Sequence, residues 1–439
     1  MSLDLILEKA EKFEAAIENR HLIEGLILPT LVLPPEGRDD FQTGNYENCA
    51  IWTGLYVFAQ ALKFASTGDI SARAAAWNGI LALNKLQDIT GKSGVVARGY
   101  KLREELTWDE PFFWIKNEKN FGQSKTRNNP SDLEDKTRSY DTLFGYRRNN
   151  EWHQSGNYRW LGDASKSQVF GILFGYFAYN QFCNPSPLQR NSIKTHVAQI
   201  MHSILDHGNQ IADIDGKPTT FGNYNNKNSY SVAPALLISQ LKFAHHLTGE
   251  SRFEDEYRRQ LDGSIRNGTL TPKRPRFFIL NRTHTNLGSD DNLAMLNYLM
   301  FMGMQSDQNI LGLCREELEK RWHTINDHEN SLFNFIYHAL TGKESAALLQ
   351  GLKSLYNFPI NKTTNAVALK RTLPLRRQMK DIFIPARIPM QERPVDEYSW
   401  RVNPFRHDKW TTVRPGRMEF TGVDFLLAAY FGMYHGFLK

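Results

Sequence analysis

The sequence predicts an all-α protein, an (α/α)6 toroid of about six helical hairpins, with long loops and a small β-hairpin at one mouth. Three observations predict it. Apolar residues recur at helical spacing along most of the 439 residues. The helices alternate between two kinds, one apolar nearly all round and one amphipathic. The links between them alternate between short and long.

Residues 2–19 open the chain as an amphipathic helix. Ile6, Ala10, Phe13 and Ile17 form one stripe, with Glu8, Lys9, Lys12 and Glu18 off it. Such a helix lies on the surface of a core. Residues 48–66 differ. Ile51, Leu55, Phe58, Leu62 and Ala65 lie on one face, Trp52, Tyr56 and Ala59 on another, with Val57 and Phe64 between. A helix apolar on most sides is buried on most sides. Residues 168–182, 230–247, 290–305, 329–340 and 422–437 repeat this inner kind, and 70–88, 186–207, 251–262, 307–322 and 344–356 the outer kind. A double ring accounts for both, because inner helices are covered on both flanks and by the outer layer. The whole chain, 1–439, reads as a single domain.

The links from inner to outer helix are tight. Thr67-Gly68-Asp69, Thr248-Gly249-Glu250 and Thr341-Gly342-Lys343 are alike, and Asn184-Pro185-Ser186-Pro187 and Ser306-Asp307 serve elsewhere. Glycine suits the left-handed residue past a helix end, and a polar residue suits the next start. The result is an αα-hairpin repeat. Links from outer to inner helix are mostly long: 20–47, 89–167, 263–289 and 357–421. All precede inner helices, so they collect at one mouth, where long loops are usually functional. Within them, Trp152, Tyr158 and Trp160 flank Ser155-Gly156-Asn157, the pattern of a β-hairpin over 151–162.

The totals narrow the function. The net charge is +6, without a run of like charges such as nucleic-acid tails use, so no nucleic-acid partner is expected. Cys49, Cys183 and Cys314 sit in apolar helices and read as buried small hydrophobes. No apolar run is long enough to span a membrane. The N-terminal residues lack a signal-peptide pattern, which predicts a cytoplasmic protein, or a periplasmic or secreted one whose signal has been removed. No HExxH pattern occurs, and Asp213-Ile214-Asp215-Gly216-Lys217 resembles only the start of a calcium loop and reads as a turn. Neither a metal nor a cofactor is expected.

The chemistry gathers at the inner-helix starts. These carry Asn45 to Asn48, Asp163 to Gln168, Asn228 to Ser231, Ser289 to Asn292, Asn326 to Glu329, and Asp424. Capping explains such residues singly; six polar starts on one cavity exceed it. Each inner helix also brings roughly half a positive charge to the mouth. With Arg98, Arg103, Arg147, Arg159 and Arg282 nearby in sequence, an anionic group is favoured there. Trp108, Phe112, Phe113, Trp114, Trp152, Tyr158, Trp160, Tyr224, Trp400 and Trp410 fall in the same loops. Their flat faces suit sugar rings, or the loops' own small cores. Glycosidic cleavage needs two carboxyl groups, one protonated and one ionised. Glu47, Asp163, Asp290, Asp291, Asp396 and Glu397 are available. Asp163 and the Asp290/Asp291 pair are favoured, being on different hairpins and able to face each other. The expected binding set is Glu47, Trp52, Trp152, His153, Tyr158, Arg159, Trp160, Tyr224, His284 and Trp400.

Several segments together resemble a bacterial group of six-hairpin (α/α) toroids, an architecture shared by many glycoside hydrolases and some polysaccharide lyases. They are Trp52 to Tyr56 with Ala65 to Asp69, Trp160 to Ser165, Asp215 to Thr219, Leu241 to Glu250, Ser289 to Asp291, Asn334 to Tyr337 and Glu392 to Pro394. The likeness covers about residues 45 to 437, and no single motif in it is specific. It implies the architecture and the candidate carboxylates. This chain departs from the group's pattern at Gly288, where a histidine precedes Ser-Asp-Asp, and at Asn48-Cys49, where Asp-Gly stands.

The leading expectation is a hydrolase of an acidic oligo- or polysaccharide, with Asp163 as general acid and Asp290 or Asp291 as base. The runner-up is a lyase cleaving a uronate polymer by β-elimination, drawing on Tyr158, His153, Arg159, Tyr224 and His284. The third is a sugar-binding toroid without catalysis.

Overall fold

The computed structural model describes residues 3–32, 42–43, 46–103, 152–225, 232–267, 287–343, 346–363 and 418–438. Within them the protein is mostly helical, and the two expected kinds of helix are both present. The odd-numbered helices are α1 (Leu3–Ala16), α3 (Ile70–Asp88), α5 (Pro187–Asp206), α7 (Ser251–Asn267), α9 (Gln308–Ile325) and α11 (Ala346–Tyr356). The even-numbered are α2 (Cys49–Thr67), α4 (Lys166–Phe182), α6 (Ala233–Thr248), α8 (Leu287–Gly303), α10 (Ser331–Thr341) and α12 (Val423–Tyr434). Burial separates the sets. In α2 every residue from Cys49 to Leu62 is buried, and in α4 every residue from Gln168 to Tyr179. In α5 only Ile193, Val197, Ile200, Met201 and Ile204 are, the stripe of a helix lying on a core.

Each even-numbered helix packs on the next, α2 on α4, α4 on α6, α6 on α8, α8 on α10 and α10 on α12, and α12 packs on α2. The odd-numbered helices pack against them: α3 on α2 and α4, α7 on α6, α9 on α8 and α10, α11 on α10, and α1 on α12. Four of the even-numbered helices, α4, α6, α8 and α12, meet through residues in their C-terminal halves. Phe182 and Tyr434, near the ends of α4 and α12, have ring centroids 5.2 Å apart, and Phe177 of α4 and Phe243 of α6 are 5.9 Å apart. Gly303, the last residue of α8, also lies against Phe177.

The tightest approach joins α2 and α4. A Cβ on Gly54 would fall 1.9 Å from the Gly171 carbonyl oxygen, and one on Gly171 would fall 2.4 Å from the Ile51 Cα. Glycine at both positions lets the backbones touch. This draws the starts of the two helices together, beside the candidate site.

The three Thr-Gly turns share one construction. Gly68, Gly249 and Gly342 have φ of 73°, 72° and 64°. The preceding hydroxyls of Thr67, Thr248 and Thr341 donate to Lys63, Ala244 and Tyr337 carbonyls at 2.7, 2.8 and 2.7 Å. The same hydroxyls accept the backbone N–H of Asp69, Glu250 and Lys343.

Strands are more numerous than the one hairpin the sequence suggests. β1 (Leu22–Ile23) pairs with β2 (Leu26–Ile27). β3 (Thr30–Val32) lies between β4 (Gln42–Thr43) and β10 (Met418–Phe420), tying the two ends of the chain together. The expected hairpin is β6 (Trp152–Ser155) with β7 (Tyr158–Leu161), joined on the far side of β7 by β5 (Gly99–Leu102). β8 (Gln210–Ala212) pairs with β9 (Pro218–Asn223), with a register shift between Gln210 and Ala212. No helix among the described residues is long and apolar enough to cross a membrane.

Candidate functional site

Asp163 stands between β7 and α4, fully buried, with φ of 59°. Aspartate is one of the few residues that tolerate this left-handed region. Helix capping does not account for it. The cap of α4 is Ser165, which forms a capping box with Gln168. Instead Asp163 is gripped by the β8–β9 hairpin. Its backbone N–H donates to Asp213 Oδ2 at 3.0 Å, and its Oδ1 accepts from the Thr220 N–H at 2.7 Å. Asp213 Oδ1 accepts from the Ile214 N–H at 2.8 Å. The Asp215-Gly216 turn below closes as read from sequence, with Gly216 at φ 78° and the Lys217 N–H bonded to Asp215 Oδ1.

The three-stranded sheet sets what surrounds this pair. Across antiparallel strands, directly opposed residues share a face. Tyr100, Trp160 and His153 are opposed and so lie on one face, with His153 and Trp160 stacked at 4.2 Å between ring centroids. Gly162 continues that face. The position its missing Cβ would occupy is 3.3 Å from both His153 Nε2 and Asp213 Oδ1. A side chain at 162 would enter the space between imidazole and carboxylate. Thus Asp163, Asp213, His153 and Trp160 form one cluster at the start of α4.

The other face carries Lys101, Arg159 and Gln154, again directly opposed, together with Trp152. Lys101 is buried, with Nζ 4.7 Å from the centroid of the Trp152 ring, and Trp152 meets Tyr46 edge-on at 5.6 Å. At the starts of α2 and α4, Gln168 accepts from Arg98 at 3.5 Å and donates to Asn48 Oδ1 at 3.4 Å.

The remaining expected residues are more dispersed. Tyr158 donates to Glu24 Oε2 at 3.0 Å, and Lys85 Nζ sits 3.5 Å from its ring centroid, so it is tied to the end of outer helix α3. Tyr224 is buried against Gln240 of α6, and burial pushes its hydroxyl well above the ordinary range. Trp52 is buried in the first turn of α2. Asp291 is buried in an ion pair with Arg321 of α9, 2.6 Å apart. Asp424, at the start of α12, is buried with Lys362 at 3.0 Å. The side chains of Glu47 and Asp290 lie outside the described residues. So do Trp108, Phe112, Phe113, Trp114, Arg147, Arg282, His284, Asp396, Glu397, Trp400 and Trp410.

The cysteines are buried thiols, and burial pushes Cys183 and Cys314 up to about 12, which leaves them protonated and unreactive at neutral pH. Among the described residues no group of three or more His, Cys, Asp or Glu side chains could hold a metal ion. Sequence reasoning overlooked Asp213, Lys101, Arg321 and Lys362. Only Asp213 carried a signal, the Asp-Gly turn directly after it.

Fold and site together define a mostly helical protein with buried carboxylates at the starts of three of its even-numbered helices. The chain matches no protein-family model, no curated protein and no solved structure.

Proposed function

We propose that the six even-numbered helices are the inner barrel of an (α/α)6 toroid, and that the protein hydrolyses a glycosidic bond in an acidic oligo- or polysaccharide. One observation carries the reading. The buried Asp163 lies outside the Ser165 cap of α4, in the left-handed backbone region, gripped by the β8–β9 hairpin, and it adjoins a histidine, an indole and a second carboxylate. Asp163 is the general acid in this scheme. A buried carboxyl group can be kept protonated until it gives its proton to the leaving oxygen. The base is Asp290 rather than Asp291, because Asp291 is already bound to Arg321 within the α8–α9 wall. Lys101 and Arg159, with the helix N-termini, favour a substrate bearing carboxylate or sulfate groups.

The lyase alternative is weaker, since the hydroxyls of Tyr158 and Tyr224 face Glu24 and Gln240. The test is a screen of the full chain against uronate-containing and sulfated polysaccharides, with products identified by mass. Hydrolysis products gain one water. Asp163→Asn and Asp290→Asn should each lose at least about 100-fold in kcat with unchanged circular dichroism. Products with an unsaturated uronate absorbance would indicate elimination instead. Binding without product would indicate a non-catalytic sugar-binding protein.

A further inference from the structure

We propose that Asp213 is a positioning residue for Asp163, the β8–β9 hairpin acting through it to hold the Asp163 backbone in its left-handed conformation. The inference rests on the reading of Asp163 as the general acid, and concerns how that acid is held.

The geometry is specific. Asp163 follows Gly162 directly from the end of β7 and lies three residues before the first turn of α4. A non-glycine residue at φ 59° is held in a strained backbone region, so something must fix it. Two contacts do so, both from the same hairpin: Asp213 Oδ2 on the backbone N–H, and the Thr220 N–H on the side-chain Oδ1. The first fixes the main chain and the second fixes the carboxyl rotamer. Neither comes from the helices: both tie the acid to the β8–β9 hairpin.

The chemistry of Asp213 is equally constrained. Its two oxygens each accept one backbone N–H, from Asp163 and from Ile214. A carboxylate provides acceptors on both sides. Asparagine provides one acceptor and one donor, so Asp213→Asn must break one bond and set an N–H against an N–H. Gly162 completes the arrangement, because any side chain there would push Asp213 and His153 apart.

The experiment compares wild type with Asp213→Ala, Asp213→Asn and Asp213→Glu in the full chain, and reads two properties. The first is amide hydrogen exchange at Asp163, followed by NMR or by mass on peptides spanning 161–165. Asp213→Ala should speed that exchange by roughly tenfold or more, the loss of a hydrogen bond to a charged acceptor. The second is turnover of the substrate found in the polysaccharide screen. Asp213→Asn should lower kcat at least about tenfold with KM little changed, and move the alkaline limb of the pH–rate profile to lower pH, because the like charge beside the acid is gone. Asp213→Glu should recover part of the kcat. Wild-type exchange at Asp163 in Asp213→Ala, which unlike Asn cannot turn an acceptor toward that N–H, overturns the positioning role, whether or not a substrate is found. Wild-type kcat and pH profile in Asp213→Asn overturn it equally. Absence of any turnover by the wild type instead defeats the hydrolase reading, and leaves the exchange measurement to decide the role of Asp213.

Discussion

Asp291 Oδ1 and Arg321 Nη1 meet at 2.6 Å with both side chains buried, joining the first turns of inner helix α8 to the last turn of outer helix α9. Removing one partner leaves an uncompensated buried charge, which costs about 3–5 kcal/mol. Arg321→Met should therefore lower the midpoint of urea unfolding sharply, and the double variant with Asp291→Leu should recover much of the loss. The same pairing bears on activity. Asp291→Asn should keep most of the turnover measured on the screened substrate, whereas Asp290→Asn should not; equal loss in both would mean that Asp291 takes part in the chemistry.

Glycines divide by what a methyl group would meet. Gly54→Ala would drive a Cβ into the Gly171 carbonyl, backbone against backbone, and α2 would have to move off α4. That substitution should be destabilising by several kcal/mol, in the upper range of single-site effects. Gly312, within α9, has nothing within 4 Å of its Cβ position. Gly312→Ala should gain roughly 0.5–1 kcal/mol through helix propensity alone. Denaturant melts of the two variants should move in opposite directions; a shared direction would mean that α2 and α4 can part without loss of stability.

How far the sequence reveals this molecule follows from where the information lies. Helices announce themselves locally. Ile51, Leu55, Phe58 and Leu62 recur at the period of the helix, and α2 occupies Cys49–Thr67 against an expectation of 48–66. The hairpin of Trp152 to Leu161 was legible for the same reason, an alternation interrupted by Ser-Gly-Asn. Its third strand was not, because Gly99 to Leu102 is separated from β7 by more than fifty residues and has no pattern of its own. The site divides in the same way. Asp163 stood out as a polar residue before an apolar helix. Its partner Asp213 lies 50 positions away, and Arg321 and Lys362 sit 30 and 62 positions from the aspartates they neutralise. Tyr158 carried the signature of a sugar platform, yet its company is Lys85 and Glu24, a choice made by sheet register rather than by residue type.

The three Thr-Gly turns allow a test of that local code. Gly68, Gly249 and Gly342 all sit in the left-handed region with open space around the missing Cβ. Alanine at any of them meets no clash, so its cost is conformational, about 1–2 kcal/mol. Three single variants should lose similar stability in thermal melts, and replacement by Asn should cost less. A much larger loss at one turn would mark a long-range role there beyond ending the helix.

His21 sets an acid limit on the junction where the chain ends meet. It closes the π-helical turn Ile17–His21 and is fully buried. Its Nδ1–H donates to the Leu28 carbonyl at 2.9 Å, which leaves Nε2 as the unprotonated nitrogen, without a partner among the described residues. Burial lowers its pKa from the ordinary 6.5, and Arg20 adds to that, against the Leu28 bond and Glu419, which raise it. The folded pKa thus lies below the unfolded one. Above 6.5 both states are neutral and the contribution of His21 to stability is complete. As the pH falls below that value the unfolded chain takes up the proton first, and stability drops toward the folded pKa. His21→Asn keeps a donor for the Leu28 carbonyl and cannot titrate. Urea midpoints measured from about pH 7.5 down to about pH 5 should fall more steeply for the wild type than for this variant. Parallel curves would mean that the buried imidazole is already accommodated in its charged form.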